Sequence, residues 1–399
     1  VRGDPAARSQ HRLLIPVLAS LTAFGPMSVD MYLPALPSIA GDLGVDAAGA
    51  QLTVGAFFLG FGGGQLLYGP LADRFGRRGP LLGGLALFVV ASLGCALARS
   101  LDLLVLFRCL EAVGGAAGPV LARAMVRDLY ERDRAARVLS IMVMIMSIAP
   151  LLAPLVGGQI LLVAGWRAIF WILVLFGAAC IAGTLLVVRE TLPAERRRRG
   201  SPAAMILSYG ALFLHPRYLG YAIGGALVYG GMFAYITGSP NVFITLYGVP
   251  PEYYGLLFGL NALGFIVTAG INGRVVMRYG SDRLFALGVL IAAIAGVILA
   301  LMAATGWGGL LVPLFAFVST IGLVGANAVA GCLGLFPDRA GVASALFGTL
   351  QFLMGAVCAA LLSLLGHETP LSMAGVIAAA GLLSLAVQRW LAPAPAPRR

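Results

Sequence analysis

Lysine is missing from this 399-residue chain, and all 27 of its basic residues are arginine. The absence goes with a composition rich in alanine, glycine and arginine and carries no functional meaning. Charge of either sign is also scarce, at 11% of residues, against about a quarter in a soluble protein of this size. That scarcity excludes an ordinary soluble globular protein. Cysteine is sparse too. Cys95, Cys109, Cys180, Cys332 and Cys358 stand singly in apolar segments, without metal or redox spacing, and read as small buried apolar residues. His11, His215 and His367 form no cluster, so no metal site is expected. There is no G-x-x-x-x-G-K-[ST] loop, which disfavours an ATP-driven pump. No paired catalytic acids or Ser-His arrangement lies at membrane depth, so the chain is not expected to be an enzyme.

What the chain has is hydrophobic sequence: 60% of residues, with a mean hydropathy of +0.95. At roughly 20 residues per membrane crossing, twelve spans are expected, at 13–35, 49–71, 79–98, 101–123, 138–162, 166–188, 217–240, 253–274, 283–304, 308–335, 341–366 and 370–391. The fold class is all-α, a polytopic membrane protein of two six-helix halves. The expected division is a tail (1–12), a first half (13–188), a basic linker (189–216), a second half (217–391) and a second tail (392–399). No small-residue cleavage site precedes the first run, which is long enough to span.

With the N-terminus placed in the cytoplasm, every arginine except Arg99, Arg108 and Arg167 falls in a tail or on the cytoplasmic side. This asymmetry sets the orientation, with both termini cytoplasmic. The net charge of +11 is then a topology signal and a match to anionic membrane lipid. Nucleic-acid binding is not expected, because the arginines form no aromatic-interleaved soluble domain. The run Arg196–Arg199, followed by Gly200-Ser201-Pro202, reads as a solvated linker between halves.

Between the second and third spans lies Gly69-Pro70-Leu71-Ala72-Asp73-Arg74-Phe75-Gly76-Arg77-Arg78. Gly69 and Gly76 suit a sharp turn at the water boundary. Asp73 needs a partner in this basic stretch, and a neighbouring helix N-terminus is one candidate; the N-terminus of the eleventh span, near Gly341, is the expected one. A second copy, Gly273 to Gly280, follows the eighth span, with Arg278 in the place of Arg74 and Met277 in that of Asp73. The halves therefore repeat.

Ionisable residues inside spans are expensive and are functional candidates by default. Asp30 lies near the outer end of the first span. Arg108 and Glu111 share one face of the fourth, about 10 and 15 Å deep at 1.5 Å per residue. Asp30 or Glu111 is expected to pair with Arg108 in a shared cavity and to carry a proton, Asp30 foremost. In the fifth span Pro150, Pro154, Gly157 and Gly158 either deform the helix for function or simply allow close packing.

These residues carry a resemblance. The loop Gly69–Arg78 resembles the signature of major facilitator superfamily transporters. Asp30-Met-Tyr-Leu-Pro-Ala-Leu-Pro37 is similar to the first span of the Bcr/CflA group of drug:proton antiporters, relatives of bicyclomycin and phenicol exporters. Leu104, Arg108, Gly114 and Ala116 match that group's fourth-span signature, with Glu111 where glutamine is usual. Pro154, Gly157 and Gly158 match its fifth-span antiporter signature. The resemblance implies Arg108 in proton coupling, and Gly69, Asp73, Arg74, Gly76, Arg77, Pro154, Gly157 and Gly158 in conformational change.

The second half supplies uncharged polar groups, among them Tyr235, Asn241, Asn261 and Gln351. With Tyr32 they form the candidate lining for an amphipathic organic substrate. The expected protein is a monomeric secondary transporter in a bacterial inner membrane, driven by a proton gradient with no other cofactor. It exports amphipathic drugs by alternating access. The alternative is proton-coupled transport of a small endogenous metabolite.

Overall fold

The computed structural model describes residues 5–197, 210, 212–305, 309–336, 340–366 and 368–392. Arg198, Arg199 and Gly200-Ser201-Pro202 of the linker, Arg339, His367 and the outer parts of both tails lie outside the described residues. Among the described residues the regular structure is all helical.

The first membrane segment is broken. Helix α1 (Pro5–Ser20) is followed by α2 (Phe24–Asp30), a 3-10 turn (Leu33–Ala35) and α3 (Leu36–Leu43). Leu13–Ser20 and Phe24–Leu43 meet at 43°. Pro34 and Pro37 lack the N–H that a continuous helix would need, which favours breaks there. The segment therefore reaches Leu43, beyond the boundary at residue 35 expected from hydropathy.

The first half continues with α4 (Ala47–Phe75), α5 (Arg78–Leu97), α6 (Leu101–Leu129), α7 (Arg132–Ala164) and α8 (Trp166–Val187). The second half begins with α9 (Pro216–Pro240), which runs into a π-helical turn (Asn241–Leu246). Then come α10 (Pro251–Tyr279), α11 (Ser281–Thr305), α12 (Leu311–Ser319) with α13 (Ile321–Leu335), α14 (Ala340–Leu365) and α15 (Leu371–Leu391). Among the described residues, ten of these segments are long and apolar enough to cross a membrane, or eleven with the bent first segment counted as one. Within α7, Ile148–Ala164 is a shorter apolar stretch.

The repeat read in sequence has a backbone counterpart. Helices α4 and α10 are each 29 residues long. Each ends at a glycine with positive φ, Gly76 at 92° and Gly280 at 83°, a conformation that side chains other than hydrogen resist. The helix extends through Phe75, so Gly69 is helical and only Gly76 and Arg77 separate α4 from α5.

Among the described residues, two helix pairs make most of the contact between the halves, α4 with α14 and α7 with α10. Along the first, contacts run from Ser363 on the Ala48 carbonyl to Thr349 on the Gly62 carbonyl and Gln65 beside Gly348. Along the second, Leu151 and Leu155 meet Gly259 and Gly255, and Gly158 meets Pro251. Toward the turns at Gly76 and Gly280, Gly69, Gly341, Gly270 and Gly273 face open space. The halves are joined at the opposite end and part toward the arginine-rich one.

Candidate functional site

Arg108 sits on α6 with no exposed surface. Its Nη1 donates to Glu111 Oε2 at 2.6 Å, one turn along the same helix. The other Glu111 oxygen accepts from the Ser92 hydroxyl at 2.9 Å. Nε and Nη2 of Arg108 have no hydrogen-bond acceptor among the described residues. Instead the guanidinium lies 4.5 Å from the ring centres of both Tyr32 and Phe57 and 5.7 Å from that of Phe170. Ring faces attract a desolvated cation, and together with Glu111 they make a sealed, internally neutral site. The Tyr32 hydroxyl is occupied by Thr53 at 2.7 Å, so Tyr32 is wholly buried and acts as a wall for Arg108 in this conformation.

Asp30 is not brought to Arg108. It ends α2, is 5% exposed, and forms no ion pair among the described residues. It lies near Tyr235 and Tyr254, both in the second half. Of the two acids expected to pair with Arg108, Glu111 does so and Asp30 does not, for a geometric reason. Positions two apart on a helix point about 200° away from each other. With Tyr32 turned to Arg108, Asp30 is turned toward the opposite half.

Tyr235 and Asn261 do come together. The Asn261 amide donates to the Tyr235 hydroxyl at 3.0 Å, and Asn261 Oδ1 is buried without a partner among the described residues. Tyr235 stacks on Phe258 with centres 5.5 Å apart, and Tyr254 shares a 2.7 Å hydrogen bond with Ser239. Asn241 opens the π-helical turn, half-buried. Gln351 lies apart from this group, beside Tyr229.

The fifth-span signature sits where the broken first segment and the second half converge. A Cβ at Gly157 would overlap the Met31 carbonyl oxygen, just past the end of α2, while one at Gly158 would lie 3.0 Å from the Pro251 carbonyl oxygen at the start of α10. Pro154 is buried one turn earlier in α7.

At the arginine-rich end, Asp73 pairs with Arg77 at 2.8 Å rather than with a helix N-terminus, and Arg77 also binds Asp128 at 3.1 Å. Arg74 lies over the Phe75 ring. The acid at the N-terminus of α5 is Glu190. Its oxygens accept from the backbone amides of Arg77 (2.8 Å) and Arg78 (3.2 Å), where α5 begins, and from Thr191 and Leu192. Burial pulls the Glu190 carboxyl upward, but the amides of Leu192, Arg77, Arg78 and Thr191 outweigh that and hold it below the usual glutamate value. Sequence reasoning missed Glu190, which reaches Arg77 across 113 positions of chain. It also missed an aromatic seam between the halves, where Phe58 meets Phe233 (4.4 Å) and Phe61 meets Phe352 (4.6 Å). The spacing of Phe57, Phe58 and Phe61 was visible; their partners were not. Among the described residues no three His, Cys, Asp or Glu side chains gather to hold a metal ion.

Comparison with known proteins places this geometry. The Major Facilitator Superfamily profile matches residues 18–359. An MFS-type transporter of Bacillus subtilis, YdgK, is 36% identical over 90% of each chain. A bicyclomycin resistance protein homolog of Haemophilus influenzae is 30% identical over 95% of this chain and 96% of its own. The solved D-xylose-proton symporter superposes with a TM-score of 0.76 at 18% identity, covering 96% of this chain and 98% of that one, a likeness of fold alone. The chain is a multi-pass membrane protein and belongs to the Major Facilitator Superfamily of transporters.

Proposed function

We propose that the chain is a proton-coupled exporter of amphipathic drug-like molecules, working by alternating access in a bacterial inner membrane with Asp30 as the proton carrier. The observation that carries this reading is Asp30 itself: a buried carboxylate without a cationic partner among the described residues, at the seam between halves and near Tyr235 and Tyr254. A carboxylate so placed exchanges its proton with whichever side the seam opens to. Its counterpart in the fourth span, Glu111, is already engaged by Arg108. The resemblance to drug:proton antiporters and the relative named for bicyclomycin resistance support a drug-like substrate over an endogenous metabolite.

The substrate lies between the halves, against Tyr235, Asn261 and the neighbouring aromatic rings, with Asn241, Gln351 and Tyr32 reached as the halves rock. The arginine-rich turns at Gly76 and Gly280 face the cytoplasm by the charge rule, so both termini are cytoplasmic and the described conformation opens inward. One chain holds both halves and works as a monomer. Its energy source is the proton gradient.

Substrate-induced proton release from the purified, weakly buffered protein tests this reading. Addition of a transported drug is expected to acidify the medium for the native chain and to leave it unchanged for Asp30→Asn. Release that persists in Asp30→Asn would move the proton elsewhere.

A further inference from the structure

Three consecutive residues at the break in the first segment hold three different parts of the protein. Asp30 lies near Tyr235 and Tyr254 of the second half. The Met31 carbonyl sits against Gly157 of α7, so closely that a methyl group there would overlap it. The Tyr32 ring covers the Arg108 guanidinium of α6, with 4.5 Å between the guanidinium and the ring centre. The three cannot move independently. The Tyr32 N–H donates to the Val29 carbonyl at 3.1 Å, and the Ala35 N–H donates to the Tyr32 carbonyl at 3.0 Å. These two tight turns tie residues 29–35 into one short piece.

The Tyr32 side chain is fixed as firmly as its backbone. It has no exposed surface. Its hydroxyl shares a 2.7 Å hydrogen bond with Thr53, whose own hydroxyl donates to the Ala50 carbonyl. Its ring packs on Phe170 with centres 5.6 Å apart. Arg108 has a second ring at the same 4.5 Å, that of Phe57. Distance alone makes the two rings equal, but they differ in what carries them. Phe57 belongs to α4 and stacks on Phe61, 5.7 Å away. Tyr32 is two residues from Asp30. Because Nε and Nη2 of Arg108 have no acceptor among the described residues, the ring faces hold that side of the cation.

We propose that Tyr32 is a positioning residue whose ring carries movement at Asp30 to Arg108, and so from the seam between the halves into α6. The proposal rests on Asp30 as the proton carrier. When Asp30 changes its charge, the piece that bears it shifts, and the ring over Arg108 shifts with it. A desolvated cation that loses an aromatic face loses roughly tenfold in an equilibrium, which is enough to bias two arrangements of the halves against each other. Phe57, off that piece, shields the cation without reporting on Asp30.

Hydrogen–deuterium exchange on the purified full-length chain tests the proposal without a drug. The amides to follow are those of α4 beyond Gly69 and of α14 between Gly341 and Thr349, where the halves part. Asp30→Asn keeps that side chain uncharged and is expected to shift their exchange roughly tenfold from the native rate. Placed in Tyr32→Leu, the same substitution is expected to shift it by less than about twofold. Placed in Phe57→Leu or in Tyr32→Phe, which keeps the ring, it should give the full shift. A merely structural role for Tyr32 would change exchange with and without the Asp30 substitution and leave the difference between them intact. If Tyr32→Leu does not fold, Tyr32→pentafluorophenylalanine decides: it has the shape of phenylalanine with the charge of its face reversed, and it is expected to abolish the difference. A full Asp30→Asn shift in folded Tyr32→Leu or in the fluorinated variant overturns the proposal. So does its loss in Phe57→Leu or Tyr32→Phe, or its absence from the native background. Drug-induced proton release tests the carrier separately. Release lost in Asp30→Asn, together with a full shift in Tyr32→Leu, removes the link alone; release that persists in Asp30→Asn removes the carrier.

Discussion

Glu111 and Arg108 are three residues apart on one helix and 2.6 Å apart in space, and neither touches solvent. The pair is closed by Ser92 on the acid's side and by Tyr32, Phe57 and Phe170 on the base's. An exchange of Arg108 between Asp30 and Glu111 would have to break this pair first.

Breaking a buried ion pair by removing one partner costs about 3–5 kcal/mol, because the other charge stays behind. Glu111→Gln is therefore expected to lower the melting temperature in detergent by roughly 10 °C, and adding Arg108→Gln should recover part of the loss. The folded fraction of Glu111→Gln should still export uphill against a pH gradient, since Asp30 is untouched. An unchanged melting temperature would mean the pair contributes nothing.

Asp30→Asn has the opposite profile. Stability should change little, because Asp30 has no ion pair to lose. Uphill export driven by a pH gradient should vanish, while drug binding persists with its pH dependence flattened. Equilibrium binding from pH 6 to 8, set beside vesicle transport, checks both halves of this statement.

Asn261→Leu removes the donor to the Tyr235 hydroxyl. A lost buried hydrogen bond contributes about 0.5–1.5 kcal/mol, so drug affinity is expected to fall about threefold to tenfold if this pair shapes the cavity. Titration calorimetry reads the change. Gln351→Leu, away from the Tyr235 group, should weaken binding less, and the reverse order would relocate the substrate.

Gly157→Ala places a methyl group into the Met31 carbonyl. Overpacking of this kind costs about 1–3 kcal/mol and should pry the broken first segment from α7. Gly158→Ala, with 3.0 Å to the Pro251 carbonyl oxygen, should be milder. Melting temperatures of the two variants give the order directly.

Glu190 supplies a pH-dependent prediction. Its carboxyl is held below the usual glutamate value in the folded protein. The clamp on Arg77 and Arg78 is thus fully present above the unfolded value of about 4.3, and it is lost as pH falls through the lowered folded value. Amide exchange at Arg77 and Arg78, corrected for its intrinsic rate, should show constant protection from pH 8 to 5. Glu190→Ala should raise exchange at these two amides on the order of tenfold across that range, as loss of a helix cap does. Loss of protection in the native chain between pH 8 and 6 would point to another group.

The features legible in sequence were those set by local pattern. Gly76 and Gly280 announced matching turns because positive φ selects glycine at both ends of the repeat. Arg108 and Glu111 announced a shared face because helix geometry puts i and i+3 together. Asp30 was legible as a buried acid but not in its direction: the breaks around Pro34 decide which way it points, and hydropathy does not register them. Glu190 carried no local signal, and neither did the meeting of Phe58 and Phe61 with Phe233 and Phe352. Such partners are chosen by tertiary packing over more than a hundred residues of chain.

The closed pair on α6 has an electrical consequence. A cation and an anion locked 2.6 Å apart form a short dipole with no net charge, so the membrane field does almost no work on them when their half tilts. A single uncompensated charge moved across 100 mV exchanges about 2.3 kcal/mol with that field. Neutralising either Arg108 or Glu111 alone would therefore convert a voltage-blind helix into a voltage sensor, and turnover would acquire a dependence on membrane potential, of opposite sign in the two variants.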